Sequence, residues 1–417
     1  MRILLSFSVL ICLLTSCKKD SPQKVDQLPQ LSISSVNPAS GHPGDEITIS
    51  GTGLSTALSS NAVKFNNVVA VVSNVEATSL KAKVPIGAGD GPVTIATSTG
   101  TTTGPTFTYI PDVIAAGTIQ SPTQVVALYW KNGVPVPVDS SMNLTIRSMA
   151  VAGPDVYLSG YEYNGTVMVA KYWKNTVVTN LSDGTKWAEA YSIAVAGNDV
   201  YVAGSETNGT HSVAKYWKNN VAVSLTDGSQ DAHAYSIAIA GSDIYVVGDE
   251  QMPGGSVIAK YWKNGVPVSL PNSNPKASAY SIAVDGSDIH ITGWGEDSIG
   301  TRSAQYWKNG VINSIPNQAN VTISAVKIIA NNIYMSGAEF AGVTNTATYW
   351  KNGTGVPLTN GYYTAGAYDI AFYGNDIYVA GTEHNGSVYE AKYWKNGVAT
   401  SLSNNSGNGI LWGITVR

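Results

Sequence analysis

Cysteine is almost absent. Cys12 and Cys17 are the only two in 417 residues, so beyond residue 17 the chain has no disulfide, no thiol nucleophile and no thiolate metal site. Charge is also scarce. Asp, Glu, Lys and Arg make up 12% of the chain, the formal net charge is -4 and there is no basic run, which argues against a nucleic-acid partner. The longest apolar run, Ile3 to Leu14, falls short of the roughly 20 residues a membrane-spanning helix needs. Helical 3.6-residue periodicity is missing throughout. The five histidines show no HxH or HExxH spacing, and no GxSxG elbow or EF-hand loop occurs. These absences point away from metal, cofactor and nucleophilic catalysis, and we expect no cofactor.

What the chain has instead is a repeat. Tyr-Trp-Lys-Asn occurs seven times, with tryptophans at Trp130, Trp173, Trp217, Trp262, Trp307, Trp350 and Trp394, separated by 43, 44, 45, 45, 43 and 44 residues. That period suits a four-stranded propeller blade. Within each copy, four short runs rich in Val, Ile, Ala and Tyr alternate with turn clusters, predicting antiparallel strands A to D. Asn-Gly between C and D, as at Asn264-Gly265 and Asn396-Gly397, accepts the positive φ of a two-residue hairpin turn. Asn175-Thr176 fits that turn poorly and is expected to relax into a longer loop. Strand A is rich in Ser and Ala, as suits a crowded axis, and D carries Pro135, Pro137, Pro267 and Pro357, as suits an edge. The repeat region opens at strand B (Asp112 to Gly117), and Leu411 to Arg417 lines up with strand A. Front and back fragments therefore complete one blade, and the expectation is seven blades closed by a C-terminal strand.

Ahead of the repeats lie three segments. Residues 1–16 have the form of an export signal, and Leu14-Thr15-Ser16-Cys17 resembles the lipobox of bacterial lipoproteins. That resemblance implies lipidation at Cys17, a polar tether over 17–30 and attachment to the outer membrane, facing the cell surface or the periplasm, through lipid alone. In 31–110, Ile47, Ile49, Val93 and Ile95 alternate with polar neighbours between glycine-rich turns, which predicts a two-sheet sandwich. Ser35 to Leu54, Asn61 to Asn66 and Ser79 to Gly100, with Pro38, Gly41, Gly44, Gly51, Phe65, Pro85 and Gly91, resemble the IPT/TIG family of immunoglobulin-like folds. The fold class is thus all-β: an immunoglobulin-like sandwich followed by a seven-bladed β-propeller over 111–417. The propeller copies resemble loosely defined bacterial β-propeller repeats and lack the Trp-Asp signature of WD-repeats. The whole arrangement resembles surface lipoproteins of glycan-foraging bacteria.

A residue copied into every blade serves packing more often than chemistry, so the seven tryptophans are assigned to the core. The recurrent glutamate after strand B (Glu162, Glu206, Glu250, Glu296, Glu339, Glu383) is assigned to a turn or an inter-blade hydrogen bond. The copies differ in their B-C and D-A loops, which share one face, and binding residues tend to lie on such loops. Trp187, His211, His233, Trp294, Arg302, Tyr362, Tyr363 and His384 are the candidate ligand contacts there. A second ring, Arg147, Tyr191, Tyr235, Tyr280, Ser324, Tyr368 and Trp412, falls nearer the axis and is assigned to inter-blade packing. No catalytic residue is assigned. The function expected is a monomeric, non-catalytic binding module for a glycan or another protein. A propeller-type polysaccharide hydrolase or lyase, with Glu296 and Asp297 as its carboxylates, and a structural envelope protein are the alternatives.

Overall fold

The computed structural model describes residues 29–139, 143–272, 275–313, 315, 320–403 and 407–417. The expected leader, Cys17 and the tether up to residue 28 lie outside them. The chain divides into two compact units that part between Tyr109 and Ile110. Apart from one 3-10 turn at Leu58–Ser60, the regular structure of the described residues is β, and no helix among them is long and apolar enough to cross a membrane.

The first unit is a sandwich. One sheet holds Ser32–Asn37, Glu46–Thr52, Ser79–Lys83 and Val71–Val75 in that order, and the other holds Ser40–Gly41, Gly100–Tyr109, Gly91–Thr97, Ala62–Phe65 and Val68–Val69. The period-2 alternation of Glu46–Thr52 and Gly91–Thr97 buries Ile47, Ile49, Val93 and Ile95 between the sheets. Phe65 and Phe107 meet edge to face there, with centroids 4.9 Å apart.

The second unit contains seven runs of four antiparallel strands; five stand as separate sheets, and the two that open at Ala232 and Lys276 are joined into one eight-stranded sheet by a single parallel pair, Val257 with Lys276. Six are continuous in sequence and open at Leu144, Ala188, Ala232, Lys276, Val321 and Ala365; they are blades 2 to 7. Blade 1 takes Val113–Gln120, Val125–Lys131 and Val134–Pro137 from the front and Asn408–Val416 from the back. In it Val113 pairs with Val416 and Gln120 with Asn408. Beyond the last pair, the Asp112 and Arg417 backbones exchange hydrogen bonds of 2.8 and 3.1 Å. Each blade runs A-B-C-D, and the seven A strands adjoin one another in a closed ring. A is therefore innermost and the proline-bearing D strand is the rim.

The Tyr-Trp-Lys-Asn motif divides its work, as blade 3 illustrates. Trp217 is buried among Tyr157, Ala170 and Leu181 of the preceding blade and Ala188 and Ile193 of its own, so it cements adjacent blades. Burial of such a side chain contributes roughly 1.5–3 kcal/mol. Lys218 Nζ lies 2.9 Å from Asp199 Oδ2. Asn219, at φ 47°, supplies the turn; its Oδ1 accepts from the Val200 amide at 2.9 Å and its Nδ2 donates to Asp199 Oδ1 at 2.7 Å. The same Asn–Asp pair recurs in five other blades, and in blade 6 Asn332 takes the place of the aspartate.

Two expectations are corrected. Asn175-Thr176 does not open into a longer loop: Lys174 still pairs with Val177, and Asn175 alone takes the positive φ, at 58°. The recurrent glutamates are neither turn residues nor inter-blade bridges. Glu162, Glu206, Glu250 and Glu383 pair with the strand-C lysine of their own blade (Lys171, Lys215, Lys260 and Lys392), because cross-strand neighbours on one face of a sheet are within ionic reach.

Candidate functional site

The site begins with an irregularity repeated seven times. Strand A pairs in register with strand B except at one residue, which is left unpaired as a β-bulge. The extra residues are Arg147, Tyr191, Tyr235, Tyr280, Ser324 and Tyr368, with Trp412 in the closing strand. Strand B explains why. Opposite each bulge it carries a glycine (Gly160, Gly204, Gly248, Gly293, Gly337, Gly381, Gly117), where a Cβ would stand within 2.0 Å of a strand-A carbonyl oxygen. Only glycine permits that approach, and the bulge re-aims the extra side chain. Five inner strands begin three residues before the ring residue, as Ala188 does before Tyr191, and two begin four before it, at Lys276 and Asn408.

These seven residues surround the mouth of the central channel at the D-A loop end. Tyr191 and Tyr235 lie 5.2 Å apart, Tyr235 and Tyr280 4.9 Å, and Tyr368 and Trp412 4.8 Å, centroid to centroid. The Arg147 guanidinium sits 5.1 Å from the Trp412 ring and 5.4 Å from that of Tyr161. They line a cavity of about 420 Å³. Ser324 breaks the aromatic wall, and two clefts adjoin the cavity on this side, one sharing Tyr280, Thr322 and Ile323 with it and the other Thr322, Ser324 and Tyr368. One cleft of about 230 Å³ runs past Tyr280 to Trp294, Arg302 and Phe340; another of about 250 Å³ runs past Tyr368 to Asn345 and Tyr389. Below the mouth, Ser192, Ser281 and Asp369 form a polar waist. Their side chains accept hydrogen bonds from the amides of Ile237, Val326 and Ile414 in the next blade, at 3.3, 3.1 and 3.1 Å.

The electrostatics favour recognition over acid–base work. Burial, and then the nearby Glu189 carboxylate, push the Tyr191 phenol far above its ordinary value; burial and Asp249 do the same to Tyr235. Burial also raises Tyr280 and Tyr368. All four stay protonated at any physiological pH, as neutral hydrogen-bonding groups. Tyr191 Oη donates to Glu189. His233 stacks on Tyr235 at 5.7 Å and places Nδ1 3.2 Å from Asp249 Oδ1. Burial opposes its protonation, but the hydrogen bond and charge of Asp249, with the charges of Asp231 and Glu189, together hold its pKa above the ordinary histidine value.

Of the eight candidates assigned to loops, four (His233, Trp294, Arg302 and His384) lie at strand ends or within strands instead, and the eight divide into three groups. His233, Trp294 and Arg302 adjoin the ring or its side cleft; Arg302 lies 4.2 Å over the Trp294 indole and pairs with Glu296 at 3.0 Å. Tyr362, Tyr363 and His384 form a cluster that meets the other cleft only through Tyr389, with successive centroids 4.7, 5.8 and 4.9 Å apart. Trp187, half exposed, and His211, 3.5 Å from Asp231, join neither group. The ring near the axis had been assigned to packing. Its members do touch across blades, yet they stay half-buried and line the cavity. The signal that would have found it is the glycine at one fixed place in every strand B.

The carboxylates proposed for the hydrolase alternative are occupied. Glu296 is held by Lys276, then Arg302, which together lower its pKa, the wrong direction for a general acid. Asp297 Oδ1 accepts the Ile299 and Thr301 amides of its own turn, at 3.0 and 2.8 Å. His290 is buried against Tyr306 Oη at 2.8 Å, as a packed residue should be. Among the described residues no group of three or more His, Cys, Asp or Glu is arranged to hold a metal ion.

Residues 31–109 match the family model of the IPT/TIG domain. No curated protein matches the chain at a significant level. Among solved structures, the chain is similar to a protein of unknown function from Bacteroides thetaiotaomicron, at 10% identity and a TM-score of 0.43, covering 94% of this chain and 93% of that one. It is similar to an auxiliary nutrient binding protein from Bacteroides ovatus, at 12% identity and a TM-score of 0.38, with 94% and 91% covered. The β-propeller domain of the Trilobed protease from Pyrococcus furiosus is similar at 10% identity and a TM-score of 0.42, with 91% and 98% covered.

Proposed function

We propose that the propeller is a non-catalytic binding module that takes an oligosaccharide across the mouth of its central channel. One observation carries the reading. Five aromatic side chains, set there by the bulges, wall a cavity of about 420 Å³ that two aromatic-lined clefts adjoin. Aromatic faces stack on the C–H faces of sugar rings, and neutral phenols with buried carboxylates behind them exchange hydrogen bonds with hydroxyls. A groove of three adjoining compartments suits a chain of sugars. A protein ligand would call for a larger, flatter patch with a water-excluded centre. In this reading Cys17 anchors the chain by lipid at the cell surface and the IPT/TIG unit is a spacer; the export signal and lipobox residues support the first.

Isothermal titration of the purified protein with oligosaccharides selected on a glycan array tests the proposal. Tyr235→Ala is expected to weaken binding at least about tenfold, since lost stacking and burial amount to roughly 1.5–3 kcal/mol. Trp187→Ala, at a residue that lines none of the three cavities, should leave binding within about twofold. The reverse ranking would move the site to the outer loops and sink the axial assignment.

A further inference from the structure

The ring has one charged member, and its charge is unmet. Arg147 forms no ion pair among the described residues; one nitrogen donates to Tyr161 Oη at 2.8 Å, and its Nε is buried without an acceptor. Beside it, Trp412 Nε1 is likewise buried without an acceptor. Arg147 itself is half-buried and lines the mouth cavity, between Trp412 and Tyr191 in the ring. The carboxylates next to the ring residues have other partners: Glu189 accepts from Tyr191, Asp249 lies against His233, and Asp369 accepts from the Ile370 and Ile414 amides with Lys327 at 3.7 Å. A half-buried guanidinium without a counter-charge in a cavity wall is matched by a planar or tetrahedral oxyanion.

We infer that Arg147, with Trp412 beside it, recognises the anionic group of an acidic sugar, the carboxylate of a uronic acid or a sulfate ester, while the sugar ring lies against the Tyr235–Tyr280 side. The inference rests on the saccharide reading and narrows it from sugars in general to acidic ones. It also explains why the position that is tyrosine in four blades is arginine in blade 2, a substitution that a purely packing role would not require.

The test varies the ligand before the protein. Titrations of the full chain would use oligogalacturonate, oligoglucuronate and oligomannuronate, their methyl esters, sulfated galacto-oligosaccharides, and the neutral counterparts of each. At least one acidic series should bind about tenfold or more tighter than its neutral or esterified form, a gap that narrows at high salt. Preference for uronate or for sulfate decides which oxyanion is read. Arg147→Gln should erase that gap and Arg147→Lys should restore part of it, while Tyr235→Ala weakens acidic and neutral sugars alike. Because the methyl esters leave the protein untouched, the conclusion survives a variant that folds poorly. Equal binding of acidic and neutral sugars overturns the acidic assignment and leaves the saccharide reading standing. Binding of no sugar in any series, by protein with an intact melting transition, overturns both, and so does binding confined to acidic peptides.

Discussion

Leu411→Ala tests the closure of the ring. Leu411 belongs to the last strand of the chain, is fully buried, and packs with Trp130 of blade 1 and Tyr378 and Ala391 of blade 7. Its removal should therefore loosen both sides of the seam. Three lost carbons at about 0.8 kcal/mol per buried CH₂ forfeit roughly 2.4 kcal/mol. The cavity left behind brings the cost to about 3–4 kcal/mol, because backbone pairing with Val113–Gln120 prevents full collapse. With a urea m-value of about 3 kcal/mol/M, the unfolding midpoint should fall by about 1 M at unchanged slope. Tryptophan fluorescence is a suitable readout, since Trp130 and Trp173 pack on the two faces of blade 1. Val398→Ala, on an exposed rim position, is the control and should shift the midpoint little. A Leu411→Ala midpoint no lower than that of Val398→Ala would mean that the final strand is not part of the cooperative ring, and the closure would fail with it.

Two further outcomes follow from named contacts. Gly248→Ala would place a Cβ 1.8 Å from the His233 carbonyl oxygen, so it should cost about 2–3 kcal/mol and also weaken ligand binding by displacing the Tyr235 bulge. Gly265→Ala, at φ +80° in open space, should cost about 1 kcal/mol and leave binding alone; equal binding by both variants would detach the bulge from the site. The second concerns pH. The folded-state pKa of His233 is raised, so its pairing with Asp249 stabilises the fold fully below the unfolded value near 6.5 and is lost as pH rises through the folded value. The stability gap between wild type and His233→Gln should be larger at pH 5.5 than at pH 8.5, by urea unfolding, and a gap equal at both would refute the pairing.

Much of this protein was determined along the chain alone. Seven copies of one motif overdetermine the strand order, and position-specific cues act locally: Asn at a two-residue turn, proline where no ladder donor is needed, a large aromatic wherever two blades must be cemented. Such cues need no knowledge of distant residues, so the all-β class, the axis-to-rim order and the joining of front and back were legible. The site was not, because it depends on register and convergence. Tyr191, Tyr235 and Tyr280 stand in sequence where any packed strand residue would stand. Only the pairing of strands A and B shows that each is the unpaired residue of a bulge, held there by a glycine on its neighbour and turned to the channel. The candidates assigned to loops met the same obstacle. Trp294 and Arg302, in strands B and C of blade 5, line the cleft past Tyr280, whereas Tyr362, Tyr363 and His384 gather around Tyr389 and Trp187 stays apart, an arrangement set by how the sheets fan around the axis. Local chemistry decided the wedge, and closure of the ring decided which side chains face one another across it.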